Sequence, residues 1–200
     1  GTKREEVMDY LGNNVKLCIQ EYQLGSGDAA KSAMTTFPDV GTVLILPGDV
    51  PLIRQETIRE LLEYHRDGGY AATILSCIME DPSGYGRVVR DAEGYVNAIV
   101  EDRDASDEIK QIREINSAVY CFELEYLKKA LEMINNDNDQ GEYYLTDAIS
   151  VIKDMGAGAG AFIGDFRELA GMNDRVQLAH LEDMLNREIV EGWMRGGVTV

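Results

Sequence analysis

Two uninterrupted apolar runs limit what this chain can fold into: Thr42 to Leu46 (TVLIL) and Ala71 to Ile78 (AATILSCI). Both are short, with β-branched residues, and are bounded by turn signals. They read as strands buried on both faces, as in a parallel sheet covered by helices. The segments between follow another period. Ile58, Leu61, Leu62 and His65 share one helical face, and Gly68-Gly69 closes that helix where a left-handed residue is wanted. Before the first run, REEVMDYLG predicts a short helix, VKLCIQ (Val15 to Gln20) a strand, and DAAKSAM a small-residue helix after the turn Leu24 to Gly27.

Beyond Gly84 the pattern changes to short strands and turns. YGRVVR, an Asp91 to Gly94 turn and YVNAIVE predict a hairpin leaving the main sheet, and INSAVYCF another strand. Leu124, Leu127, Leu131 and Ile134 mark a helix; another begins near Thr146. GAGAG (Gly156 to Gly160) lacks the strand before and helix after that a nucleotide loop requires, so it reads as a helix end plus a small-residue strand. Leu178, Leu181, Leu185, Ile189 and Trp193 lay an apolar stripe along one long helix from Asp174. The fold class expected is α/β, with a mostly parallel sheet and a β-hairpin insertion.

Two hundred residues suit one domain, and a net charge of −17 argues against nucleic acid or an anionic membrane as partner. The three cysteines (Cys18, Cys77, Cys121) lie far apart in apolar runs, which reads as buried, reduced thiols of a cytoplasmic protein. Clustered ligands for zinc are absent, and His65 and His180 fall in helical patterns without a nearby nucleophile.

Ligands of an open α/β sheet bind beyond the carboxyl ends of its strands, which directs attention to Pro47-Gly48-Asp49. Asp49 can hold a divalent cation through one oxygen, or simply cap the turn. Gly25-Ser26-Gly27 could admit a base or phosphate close to backbone, or be a plain turn capped by Ser26 or Asp28. Asn173 could supply a second oxygen at the same sheet edge as Asp49, although capping is the favoured reading of Asn173-Asp174-Arg175 taken alone. The acidic and amide-rich loop from Asn135 to Tyr144 reads as solvated surface.

Seven stretches then occur in one order: QEYQLGSGDA, LPGDVPLI, DPSGYGRVVRD, IVEDRDAS, REINSAVYCF, NDNDQGEYYLTD and GMNDRVQLA. Together they closely resemble the uridylyltransferase domain of the bacterial bifunctional N-acetylglucosamine-1-phosphate uridylyltransferase / glucosamine-1-phosphate acetyltransferase, over essentially the whole chain. The resemblance implies a Rossmann-like nucleotidyltransferase fold. It implies the joining of UTP to N-acetylglucosamine 1-phosphate, giving UDP-N-acetylglucosamine and pyrophosphate with Mg2+. By motif, Gln20, Gly25 and Ser26 would meet the uracil, and Pro47 and Gly48 would bind substrate. Asp49 and Asn173 would bind the metal, and Gly86, Glu101 and Asn116 the sugar. Asn173 would also touch the phosphates.

Four departures qualify the match. The family's Gly-rich loop, followed by an Arg and a Lys that grip the triphosphate, has no counterpart, so the first βα unit is expected to lie upstream of Gly1. Pro47 stands where the family has an aromatic residue, and Ser26 and Asp28 where it has Thr and commonly His. The expected division is therefore a partial nucleotidyltransferase domain over 1–176. Residues 177–200 would be a linker helix toward an absent β-helical acetyltransferase domain. Such a fragment is expected to turn over poorly, and a homotrimer is expected only of the full-length protein. Alternatives are a nucleotidyltransferase for another sugar 1-phosphate and a non-catalytic nucleotide-sugar binding module.

Overall fold

A computed structural model describes residues 4–172 and 174–200. The helices are α1 (Arg4–Leu11), α2 (Ser26–Met34), α3 (Gln55–Asp67), α4 (Asp107–Lys110), α5 (Leu124–Met133), α6 (Asp147–Asp154) and α7 (Arg175–Arg195). The strands are β1 (Thr42–Ile45), β2 (Ala72–Ile78), β3 (Arg87–Arg90), β4 (Val96–Val100), β5 (Glu114–Glu123) and β6 (Ala159–Ile163). They form a six-stranded mixed sheet in the order β4-β3-β5-β2-β6, with β1 also on β5. The α/β class and the hairpin insertion, β3 with β4, are thus as expected.

The neighbour relations are not. Among the described residues only β2 and β6 pair in parallel; β5 pairs antiparallel with β1, β2 and β3, and β3 antiparallel with β4. It follows that β1, β2, β3 and β6 share one direction, while β5 threads between them the other way. A buried apolar run reports that both faces are covered, but carries no sign of strand direction.

β5 organises the sheet. One edge pairs along its length with β2; the other meets β3 at Ile115 and β1 from Tyr120 to Glu123. Register against β2 shifts where Asn116 faces Ser76 but Val119 faces Leu75, so Ser117 and Ala118 bulge out. Two extra residues preserve the alternation of faces. Accordingly Tyr120 and Phe122 join the cluster under α5 and α6, while Ile115 and Val119 join Leu61 of α3 on the other face. Ser117 Oγ donates to the Leu75 carbonyl at 2.6 Å and accepts from Val119 N–H at 3.3 Å, engaging backbone groups where the ladder lapses.

Two strand expectations fail at the amino-terminal side. Residues 16–20 form no strand, and Val15, Leu17 and Ile19 are 47%, 40% and 52% exposed. Alternation alone does not make a strand; backbone groups need a neighbouring chain. Cys18 is consequently exposed, against expectation, whereas Cys77 and Cys121 are buried; all three are free thiols. Likewise β1, expected to be buried on both faces, buries only Val43, because it pairs along one edge alone. No helix among the described residues is long and apolar enough to cross a membrane.

Candidate active site in the fork of the sheet

The C-terminal end of β1 and the N-terminal end of β3 approach the same edge of β5 from opposite sides, leaving the bulge uncovered between them. A cavity of about 590 Å³ opens in this fork. α2 forms one wall through Ala29, Ala30 and Ala33, whose small side chains leave the room. The opposite wall is polar, built from Gly86, Glu101, Asn116, Tyr120 and Thr146. No Lys or Arg among the described residues lines it.

Gly86 precedes β3, and its carbonyl accepts from Asn116 N–H at 2.8 Å, which places the two residues side by side. A Cβ on Gly86 would stand 3.3 Å from Glu101 Oε2 and 3.1 Å from Ile99, so glycine keeps this wall open toward the carboxylate. Glu101 follows β4 and accepts from the Thr146 hydroxyl at 3.0 Å. Burial raises its pKa, reinforced by Asp104 and opposed by the Thr146 hydrogen bond. Asp147 at the start of α6 is pushed up to about 6 by burial, with Glu101 and Asp104 adding to the effect.

Ser26 also lines the cavity, where its Oγ accepts from Leu145 N–H at 3.0 Å. Gly25 has φ 111°, and a Cβ there would lie 2.5 Å from the Tyr143 carbonyl. Gly27 N–H donates to that carbonyl at 2.8 Å, and Tyr143 N–H to Leu24 O at 2.8 Å. The close approach allowed by these glycines is thus to Tyr143, and this end of the acidic loop packs against the start of α2 rather than standing in solvent. Gln20 sits behind the turn, its amide donating to Gly25 O at 3.1 Å and Asp28 Oδ2 at 2.7 Å.

Pro47 lines the cavity, whereas Gly48 and Asp49 lie just beyond it in an exposed turn. The Asp49 carboxylate has no partner among the described residues, and its backbone carbonyl accepts from Met172 N–H at 2.9 Å. Asn173, named from the sequence with Asp49, lies outside the described residues. No group of three or more His, Cys, Asp or Glu positioned for a metal occurs among the described residues. The structure therefore brings Ser26, Pro47, Gly86, Glu101 and Asn116 into one cavity, with Gln20, Gly25, Gly48 and Asp49 around it and not lining it.

A family model described as nucleotidyl transferase matches residues 3–194. The chain belongs to the nucleotidyl transferase family. Among curated relatives, the bifunctional protein GlmU of Caldanaerobacter subterraneus subsp. tengcongensis is 49% identical over 200 residues, covering 100% of this chain and 44% of the relative. The protein of the same name from Thermoanaerobacter pseudethanolicus is 50% identical, with the same coverage. That of Clostridium botulinum strain 657 is 47% identical over 199 residues, covering 99% of this chain and 43% of the relative. The chain thus spans less than half the length of these relatives.

Within this nucleotidyl transferase, sequence reasoning missed Thr146, Tyr120 and Ala118 as cavity residues. All three stand in stretches that carry the resemblance, Thr146 in NDNDQGEYYLTD and Ala118 and Tyr120 in REINSAVYCF. What the sequence does not show is the contact that Tyr120 makes. Residues four apart on a regular strand are about 13 Å apart, but the bulge draws the Tyr120 hydroxyl to 2.7 Å from Asn116 Nδ2. His65, set aside from the sequence, is buried with Nδ1 2.8 Å from Thr73 Oγ1 and Nε2 3.2 Å from Glu123 Oε1. It lines a second cavity of about 500 Å³ with Arg66 and Tyr70.

Proposed function

We propose that this chain forms the nucleotidyltransferase part of an enzyme that makes UDP-N-acetylglucosamine and pyrophosphate from UTP and N-acetylglucosamine 1-phosphate. The observation that carries the reading is the cavity's polar wall. Gly86, Glu101 and Asn116 come from separate sequence motifs, each assigned to the sugar by resemblance, and they meet around one space of about 590 Å³. The identity of 49% to a bifunctional protein GlmU along the whole chain supports it.

In the proposed reaction a sugar-phosphate oxygen attacks the α-phosphorus in line, forming a P–O bond as the bond to pyrophosphate breaks. Such chemistry asks the protein chiefly to position reactants and offset charge. Glu101, lying where the hairpin rejoins the sheet, accepts hydrogen bonds from sugar hydroxyls. Gly86 lets the sugar approach that carboxylate. The aliphatic side of the cavity excludes water, and its lack of cations directs phosphates out toward the Asp49 turn. Asp49 and Asn173 would hold the magnesium ion; an exposed carboxylate free of partners among the described residues suits such a hard cation, which retains several waters. When bound, the ion would offset the negative charge of the phosphates. Ser26 and Gln20 would border the base. On this reading residues 1–176 belong to the catalytic domain and 177–200 to a linker helix. The protein works in the cytoplasm, and a trimer belongs to a full-length protein.

Titration calorimetry with UDP-N-acetylglucosamine and UDP-glucose tests the proposal. Tighter binding of the acetylated ligand, weakened about tenfold or more by Glu101→Gln, is expected for a charged hydrogen bond to sugar. Equal affinity for both sugars, or indifference to Glu101→Gln, would overturn the assignment of this cavity to N-acetylglucosamine.

A further inference from the structure

Tyr120 is 3% exposed and reaches the cavity from β5. Its hydroxyl accepts from Asn116 Nδ2 at 2.7 Å. The orientation of that amide is set by its other end, because Ala118 N–H donates to Asn116 Oδ1 at 3.0 Å. Asn116 therefore presents a donor to Tyr120, not an acceptor. Ala118 sits at the apex of the bulge with φ 62°, the only non-glycine residue at positive φ among those described. A strained residue of this kind persists where surrounding contacts hold it, often beside a ligand.

A phenolic hydroxyl can accept and donate at once. With acceptance met by Asn116, the Tyr120 proton has no acceptor among the described residues. Burial raises the pKa of this phenol well above its ordinary value, with the nearby Glu101 adding to the effect, so the proton stays on oxygen at neutral pH. A buried donor without a partner is costly and uncommon in folded proteins. On the same wall Glu101 accepts from the Thr146 hydroxyl through Oε1, while its Oε2 lies toward Gly86. The wall thus offers a donor at Tyr120 and an acceptor at Glu101.

We propose that the Tyr120 hydroxyl, oriented by Asn116, donates a hydrogen bond to a neutral sugar oxygen and is a specificity-determining residue of this site. The proposal rests on the reading of the cavity as the sugar site. A neutral oxygen is the fitting acceptor because no Lys or Arg of the described residues lines the cavity to offset the charge of a phosphate. A carbonyl oxygen, such as that of an acetamido group, takes such a bond and returns none, which suits a lone donor on a wall whose other side-chain group is an acceptor.

Tyr120→Phe removes only the hydroxyl. Affinities of wild type and variant for UDP-N-acetylglucosamine, UDP-glucose and UDP are measured by calorimetry, with thermal midpoints recorded in parallel. The variant is expected to bind UDP-N-acetylglucosamine about tenfold more weakly, the worth of one hydrogen bond, with UDP affinity and thermal midpoint little changed. A comparable loss for UDP-glucose assigns the bond to a ring hydroxyl, and no such loss assigns it to the acetamido oxygen. Unchanged affinity for both sugars, or an equal loss for UDP with a lowered midpoint, overturns the proposal while leaving the sugar site standing. Failure of the wild type to bind either sugar nucleotide overturns both.

Discussion

Asp147 shows how position sets the chemistry of a single residue in this fold. It opens α6, where the helix dipole favours a negative charge, yet burial beside Glu101 and Asp104 pushes its pKa up to about 6. The folded state therefore holds this proton more tightly than the unfolded chain does. The resulting stabilisation is full below the ordinary carboxylate range near pH 4, and is lost as the pH rises through about 6. Asp147→Asn is expected to flatten this part of the stability profile and to stabilise the protein at pH 7 by about 1 kcal/mol, after discounting for partial exposure. Urea melts at pH 4.5 and 7 check it; an equal effect of the substitution at both pH values would contradict the assignment. None of this was legible in the sequence, where Asp147 simply opens a helix after Thr146. Its neighbours arrive from the hairpin more than forty residues earlier.

At the scale of elements, the hairpin end and the Gly84–Gly86 turn are tied from behind by Arg87. Its side chain is 2% exposed, and it stands in register with Ile115, which belongs to the cluster on the α3 face, opposite the cavity. The guanidinium donates to the Tyr85 carbonyl and, at 3.1 Å, to Asp102 Oδ1, leaving its Nε without a partner. Asp102 retains 32% exposure, so losing the arginine leaves a solvated carboxylate rather than a stranded buried charge. Arg87→Met is therefore expected to cost only about 1–2 kcal/mol while accelerating hydrogen exchange at Tyr85 and Gly86. Unchanged exchange there would mean that the turn is held by other contacts.

The long helix α7 makes the opposite case. Its apolar stripe was plain in the sequence and its span was expected, yet of its 21 residues only Leu181 is buried. An exposed ion pair between Arg54 and Glu188 is a further tie to the body, and such pairs contribute little. Removing residues 190–200 is accordingly expected to shift the thermal midpoint by no more than about 2 °C; a drop of several times that would reveal packing across the stripe. Periodicity shows which side of a helix is apolar and not what covers it. The same limit explains residues 16–20, whose strand-like alternation meets no partner, and β5, whose direction no pattern of hydrophobicity encodes. Helices α3, α5 and α6 were legible because their stripes bury against the sheet within this chain.

For the molecule as a whole, the site depends on a topological accident of the sheet. Two co-directional strands meet one antiparallel strand on the same edge, and a two-residue bulge occupies the gap between them. Motif order located most of the lining residues without revealing this arrangement, since the motifs mark positions along the chain and the fork is made by pairing. A second cavity of about 500 Å³ sits at the far end of β1 and β5, around His65, Arg66 and Tyr70, and shares no residue with the first. Its presence supplies an internal control. The decisive measurement is a titration of 15N-labelled protein with UDP-N-acetylglucosamine, followed by amide resonances. Saturable shifts at Ser26, Gly86, Glu101 and Asn116, with Gly69, Tyr70 and Glu123 unmoved, are the expected result. Shifts confined to the second cavity, or none at the first, would contradict the sugar-nucleotide site in the fork.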